Sequence, residues 1–241
     1  MVTIPNGYSQ SKIGVIFQEN IFYKMGEVEL KLNTNQVYIH SVLFFYGEAA
    51  SDALSFQIAK DIADHWNEAK GKVRIKNMHY NVLFNIEGIW ARPLTPEMVF
   101  KNRNPRNNYF RLEEFAADNI SFVDGIGCNT GYFKVDNLLN NSTTAAHEYG
   151  HTIGLHHPEM LDIRGRGIPG IMYPRGTIVD AVYQYSPVAK PLEPGGTMNP
   201  FTRKVLQEDI DNLNLHRLAY NQNGVAVIGN FTNIWHRQHR H

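Results

Sequence analysis

The chain has 241 residues, of which 43% are hydrophobic and 19% charged, a composition typical of a folded globular protein and not of a disordered one. Lysine plus arginine and aspartate plus glutamate number 23 each, so the formal net charge is zero and no global field favours nucleic acid or an anionic membrane. No apolar run approaches the length that spans a bilayer, and the single cysteine, Cys128, excludes an internal disulfide and a metal site built from several cysteines.

The first third of the chain predicts an extension, a strand and a long helix. Residues 1–36 mix short apolar stretches with polar ones, and we interpret them as an N-terminal extension with one or two strands. Residues 37–46, VYIHSVLFFY, are rich in β-branched and aromatic side chains, which favours a buried strand. Residues 49–69 predict an amphipathic helix ending near Gly71, because apolar side chains recur every four positions. This apolar stripe contains Leu54, Ile58, Ile62 and Trp66, and Phe56 widens it.

The middle of the chain reads as several strands around one short helical turn. Thr95 and Pro96 are suited to cap and open a turn that reaches Phe100. Strands are predicted at residues 73–75, 82–90, 119–123 and 132–135. A strand, a long helix and several further strands in this order predict an α/β fold with a twisted mixed sheet.

The most specific pattern of the chain is H-E-x-x-H-x-x-G-x-x-H, which begins at His147. His147 and His151 are four residues apart, so on a helix both imidazoles can reach one ion. Glu148 lies about 100° further round the helix, where its carboxylate reaches a water held by that ion. Gly154 lets the chain leave the helix and fold back, and His157 then supplies the third ligand.

Three neutral histidines leave a zinc ion with its +2 charge and an open coordination position, as in catalytic zinc sites. Glu148 is then the general base that takes a proton from the attacking water and passes it to the leaving amine. Two alternatives stay open at this point. Either the motif is an ordinary exposed helix face, or His156 replaces His157 as the third ligand.

Two helices and an irregular segment are predicted around and after the motif. We expect the motif helix to begin at Asn141 or Ser142, both favourable N-caps, and to run to about Ile153. Residues 158–200 are rich in glycine and proline and are interpreted as mostly irregular. Residues 202–215 predict a second helix whose core-facing side chains are Val205, Ile210 and Leu213.

The two ends of the sequence give weaker indications. Residues 224–234 predict a hairpin around Gly229, and residues 235–241 predict a flexible end. Residues 1–7 lack the basic start and apolar core of a secretory signal peptide. Export by a route without such a signal, a signal already removed, and a protein that stays inside the cell are all compatible with this.

Residues 145–155, AAHEYGHTIGL, resemble the zinc-binding segment of the metzincin metallopeptidases, and within that clan the chain is most similar to the matrixins. Residues 170–174, GIMYP, resemble the Met-turn of those enzymes. Residues 206–210, LQEDI, resemble the acidic start of their C-terminal helix. The strong resemblance is confined to these three segments.

The resemblance implies a metzincin-like catalytic domain over residues 37–241. Its upper subdomain would cover residues 37–157 and its irregular lower subdomain residues 158–241, with the active-site cleft between them. Substrate would lie extended along an edge strand within residues 121–129. Met172 would form a hydrophobic floor beneath the zinc without binding it.

Several residues depart from the matrixin pattern. The gap from His157 to Met172 is longer than in matrixins, so Met198 is an alternative floor residue. Pro158 follows the third histidine where matrixins have serine or threonine. Gly176 stands where matrixins place a tyrosine in the wall of the main specificity pocket, so substrate preference does not carry over.

These observations predict a zinc-dependent endopeptidase that hydrolyses peptide bonds of extended polypeptides, with zinc ligands His147, His151 and His157 and the catalytic base Glu148. We expect a protein or peptide substrate, no nucleic-acid or membrane partner, a monomer, and secretion or export. One alternative is a delivered effector or toxin protease with a narrow protein target. Another is a zinc-stabilised binding module with little turnover, although such a module would not need Glu148.

Overall fold

A computed structural model describes residues 27–139 and 142–240. Its described residues include one mixed sheet of eight strands: β1 (Glu27–Lys31), β2 (Gln36–Tyr46), β3 (Lys72–Ile75), β4 (Met78–Trp90), β5 (Asn107–Glu113), β6 (Phe122–Val123), β7 (Thr130–Lys134) and β8 (Val225–Val227). The main order is β3-β4-β2-β5-β7-β6, and β1 pairs with both β2 and β8. Strands β4, β2, β5 and β7 run parallel, while β1, β3 and β6 pair antiparallel with their neighbours. The predicted α/β class with a mixed sheet is confirmed.

Strand β2 lies at the centre of the sheet, as its sequence predicts. Val37, Ile39, Leu43 and Phe45 are fully buried, whereas the residues between them are mostly half-buried. This alternation follows from the two-residue period of a strand with helices on one face. Strand β5 escaped prediction, because its sequence NNYFRLE begins and ends with polar residues.

Helix α1 (Asp52–Glu68) covers one face of the sheet. The Ser51 hydroxyl accepts a hydrogen bond from the Leu54 amide at 3.3 Å and so caps the helix. Ile58, Ile62 and Trp66 are buried as predicted, but Phe56 is 64% exposed. The expected widening of the stripe is wrong, because Phe56 lies about 200° around the helix from Ile58. Among the described helices, none is both long and apolar enough to cross a membrane.

Helix α3 (Thr144–Thr152) packs beside α1 and carries the motif. The indole Nε1 of Trp66 donates to the Ala146 carbonyl at 3.0 Å, which ties the two helices together. The helix begins later than predicted. Its N-cap is Thr143, Ser142 lies one residue earlier with its hydroxyl accepting from the Thr144 amide at 3.2 Å, and Asn141 lies outside the described residues.

The remaining helices are short. Helix α2 (Pro96–Phe100) is capped by Thr95, as predicted. Helix α4 (Gln207–Asn212) is much shorter than the predicted 202–215, and single 3-10 turns precede and follow it. The core-facing side chains of that prediction are nevertheless buried: Val205, Ile210 and Leu213. Residues 158–200 contain one short 3-10 turn and are otherwise irregular, as predicted.

The C-terminal end contradicts its prediction. No hairpin forms around Gly229 in the described residues, because β8 pairs with β1 instead. The tail that follows packs on the second face of the sheet. The Trp235 ring stacks on Tyr46 with centroids 4.4 Å apart, and the His239 ring stacks on Tyr132 at 4.1 Å. The expected flexible end is wrong, since this face carries aromatic side chains that the tail covers.

Candidate metal centre

Three histidine side chains converge where α3 meets the turn that follows it. The Nε2 atoms of His147 and His151 each lie 3.0 Å from Nε2 of His157. One nitrogen from each histidine can be chosen so that all three lie within 4.8 Å of one another. Two nitrogens bound to one tetrahedral zinc at 2.0–2.1 Å would be about 3.3 Å apart. The spacing therefore fits a zinc ion after a small relaxation.

Two backbone carbonyls fix the tautomers of the helical histidines. His147 Nδ1 lies 2.7 Å from the Ile171 carbonyl, and His151 Nδ1 lies 2.7 Å from the Leu155 carbonyl. Because a carbonyl only accepts, each Nδ1 carries the proton and each Nε2 presents a lone pair. His157 can donate its one Nε2 proton to only one of them. A cation between the three nitrogens satisfies all of them, so the donor set suits zinc.

The charge state of the histidines also suits metal binding. Burial, assisted by the positive charge of Arg203, holds the pKa of His147 well below its ordinary value of 6.5. Burial also lowers the pKa of His151 and that of His157. Neutral imidazoles are the form that binds zinc, so these ligands need no deprotonation near neutral pH.

The turn after α3 brings in the third histidine. Gly154 has a φ of +101° and lies one residue beyond the helix C-cap, so the chain reverses there as predicted. The Leu155 amide donates to the Gly150 carbonyl at 2.9 Å and fixes the turn. His156 is exposed and lies outside the cluster. The alternative of an exposed helix face is also wrong, because every residue of α3 is buried.

Glu148 lies beside the histidines in a small cavity. Glu148 is only 9% exposed, and burial raises the pKa of its carboxyl to about 8. The positive charges of Arg203 and Arg175 and the backbone amide of Val123 oppose this rise. Glu148, His147 and His157 line a cavity of about 160 Å³. A carboxyl group held there is placed to exchange a proton with a molecule next to the histidines.

Arg203 is a site residue that the sequence reasoning missed. It is 4% exposed, and its Nε donates to the Thr143 hydroxyl at 2.9 Å. Its Nη1 donates to the Tyr173 carbonyl at 2.9 Å and lies 2.9 Å from His147 Nδ1, which already carries its own proton. Arg203 thereby joins the start of α3 to the segment after Met172. No spacing rule connects it to the motif, so the sequence offered no signal.

The structure separates the two methionines proposed as the floor of the site. Met172 is 3% exposed and packs directly against Gly150 of α3. Its neighbour Ile171 supplies the carbonyl that orients His147. Met198 belongs to a separate cluster with Ile163 and Val179. Met172 is therefore the methionine that packs against the motif helix.

The predicted edge strand lies next to the site. β6 ends the main strand order, and the segment after it is tied to α3 because the Gly127 amide donates to the His151 carbonyl at 2.6 Å. Cys128 is 8% exposed and lines neither of the two cavities that contact His157. The larger of these, about 480 Å³, is lined by the turn after α3, the segment around Met172 and α4.

Comparisons with known proteins add little to this description. No protein-family model matches the chain, and no curated protein matches it in sequence. A search of solved structures finds archaemetzincin from Methanopyrus kandleri, with 15% identity and a TM-score of 0.29 over 52% of this chain and 79% of that one. A likeness of this size carries no functional argument. The matrixin grouping therefore stays a prediction.

Proposed function

We propose that the chain is a zinc-dependent endopeptidase that acts on extended polypeptides. The observation that carries this proposal is the convergence of three Nε2 atoms, two of them held as lone-pair donors by backbone carbonyls, beside the buried carboxyl of Glu148. Glu148 does not orient the helical histidines, because the Nδ1 atoms of His147 and His151 donate to backbone carbonyls. The acid is instead what hydrolysis requires.

Each residue of the site has a separate chemical role. A zinc ion held by the three histidines would polarise the carbonyl of the peptide bond and acidify a water molecule. Glu148 accepts a proton from the attacking water and donates it to the departing amine. Burial raises the pKa of Glu148 in the metal-free protein, and a zinc cation at the histidines would lower it toward the ionised form that accepts the proton. The Ile171 carbonyl holds His147 in place by accepting from its Nδ1, and Arg203 fixes the neighbouring segment through the Tyr173 carbonyl.

Substrate binding would use the exposed edge of the sheet. β6 pairs with β7 along one side, and an extended peptide would pair along its other side, where the Val123 amide lies near Glu148. The proposal includes a protein or peptide substrate, a monomer, and secretion or export. The zero formal net charge supports the expectation that neither nucleic acid nor an anionic membrane is a partner.

The test compares the wild type with Glu148→Gln, which keeps the shape of the side chain and removes the base. We expect the variant to retain about one zinc per chain and to lose roughly 10²- to 10⁴-fold in kcat on an unbiased peptide library. Glu193→Gln, a change at an exposed carboxyl outside the site, is the matched control and should cleave normally. Equal cleavage by wild type and Glu148→Gln would sink the mechanism. A wild type with bound zinc that cleaves no peptide would favour the binding module.

A further inference from the structure

The cavity beside Glu148 has an unusual charge. It is lined by Arg175, Arg203 and Glu148, and no second acidic residue among the described ones lines it. The other polar walls are neutral: Ser121, Asn137 and Thr144. The lining therefore carries an excess positive charge before any metal is bound, and a zinc ion at the histidines would add to it.

Arg175 is the more available of the two cations. It is exposed, and within the described part of the chain it makes neither a hydrogen bond nor an ion pair. Arg175 lines the same cavity as Glu148 and Arg203, and its positive charge lowers the pKa of both groups. An arginine side chain that lines a cavity and has no carboxylate partner can bind a carboxylate of an incoming molecule.

Arg203 supplies the inner wall. Its Nε and Nη1 are engaged by Thr143 and Tyr173, whereas its Nη2 makes no hydrogen bond to a described residue. The guanidinium is buried and fixed, so Arg203 itself loses little further side-chain entropy when it binds a group. The cavity volume of about 160 Å³ is equivalent to several water molecules at about 30 Å³ each, which is room for a short side chain.

We propose that this cavity binds a carboxylate of the substrate next to the scissile bond, with Arg175 and Arg203 as its partners. The proposal rests on the proposed endopeptidase function and names the substrate class of that site. In an endopeptidase substrate the carboxylate is that of an aspartate or glutamate side chain flanking the scissile bond; a free C terminus one residue beyond the bond presents the same group, and a preference for it would make the enzyme a carboxypeptidase. Both present the same planar anion, which suits the paired N–H groups of arginine.

The test measures kcat/KM on matched peptides that carry Glu, Gln or Lys at each position flanking the scissile bond. Each peptide is made as the free acid and as the C-terminal amide, which separates a side-chain carboxylate from a terminal one. We expect the wild type to prefer the carboxylate peptide by about tenfold or more, as for a charge-assisted hydrogen bond in a partly buried site. Arg175→Gln should bring that ratio close to one, and Arg175→Glu should reverse it in favour of Lys.

Arg217→Glu is the matched control, because Arg217 is exposed and lies outside the cavity. It makes the same charge change and should leave the ratio as in the wild type. A wild-type ratio near one, or a ratio that survives Arg175→Gln, would overturn the proposal. A ratio that also collapses in Arg217→Glu would assign the preference to general electrostatics and overturn it as well.

A second readout does not depend on turnover. The zinc-loaded Glu148→Ala variant should bind intact peptides without cleaving them, and calorimetry compares the Glu and Gln peptides in that background and in Glu148→Ala with Arg175→Gln. Tighter binding of the Glu peptide only when Arg175 is present supports the carboxylate site even if no peptide is cleaved. Cleavage without any such preference sinks the carboxylate site and leaves the endopeptidase proposal standing.

Discussion

The sulfur of Met172 lies 2.3 Å from the position that a Cβ atom on Gly150 would occupy. Only a residue without a side chain allows this contact between α3 and the segment beneath it. Ile171, one residue before the methionine, orients His147 through its carbonyl. Gly150 therefore allows the close packing of α3 against the segment that orients His147.

Gly150→Ala should destabilise the protein by about 1–3 kcal/mol, the usual cost of overpacking a core. It should also weaken zinc retention, because moving Met172 displaces the Ile171 carbonyl. Denaturant unfolding and zinc content measure the two effects. Gly176→Ala is the control, since nothing lies within 4 Å of a Cβ there. Met172→Val in the Gly150→Ala background should recover stability, and strict additivity of the two changes would contradict the contact.

The local parts of the fold could be predicted because their signals repeat along the chain. The two-residue period of β2 and the four-residue spacing of α1 identified both elements within a few residues. The cluster of three histidines could be predicted for the same reason, because its members are joined by one helix and one turn. The structure places them together, with His157 and not His156 in the cluster.

The missed features depend on contacts between distant segments. Arg203 reaches His147 from far along the chain, and Trp235 reaches Tyr46 from the opposite end. Neither contact has a spacing that a single sequence displays. The prediction of one helix over residues 202–215 was wrong. The apolar residues of this segment are buried, but only part of its backbone is helical.

Removing the metal should destabilise the protein, because the bound ion stabilises only the folded state. At a free zinc concentration about 1,000 times Kd, the contribution is about 4 kcal/mol. We therefore expect a chelator to lower Tm and added zinc to restore it. His157→Ala should lose zinc and show little chelator effect, whereas His156→Ala should behave like the wild type. If His156→Ala lost zinc and His157→Ala retained it, the assignment of His157 as the third ligand would be wrong.

The docked tail should contribute to stability. Trp235→Ala removes a stacked aromatic pair with Tyr46 and leaves part of the sheet face uncovered, so we expect a loss of about 1–2 kcal/mol. Ile234→Ala, at the neighbouring residue with 42% exposure, should cost less. Hydrogen exchange of the β5 and β7 amides would follow the same order. Equal stability of Trp235→Ala and the wild type would restore the prediction of a flexible end.

Asp209 gives the pH dependence of stability a defined sign. Its carboxyl accepts hydrogen bonds from the Leu206 amide at 2.8 Å and the Ile171 amide at 3.4 Å, which links α4 to the floor of the site. Burial raises its pKa from the ordinary value of 3.8 to about 6, although these amides oppose the rise. The folded protein therefore holds this proton more tightly than the unfolded chain does.

The stabilisation from that proton is complete below pH 3.8 and is lost as the pH rises through about 6. The difference corresponds to about 3 kcal/mol. Asp209→Asn cannot titrate, so between pH 4 and pH 7 the wild type should lose up to that amount relative to the variant, as measured by urea unfolding of the zinc-free proteins. Asp211→Asn is the control. It makes the same chemical change at an exposed position of the same helix, so it shows what replacing a carboxyl with an amide does without burial. A difference between wild type and Asp209→Asn that stays flat with pH would mean that the amide hydrogen bonds, and not burial, dominate at Asp209.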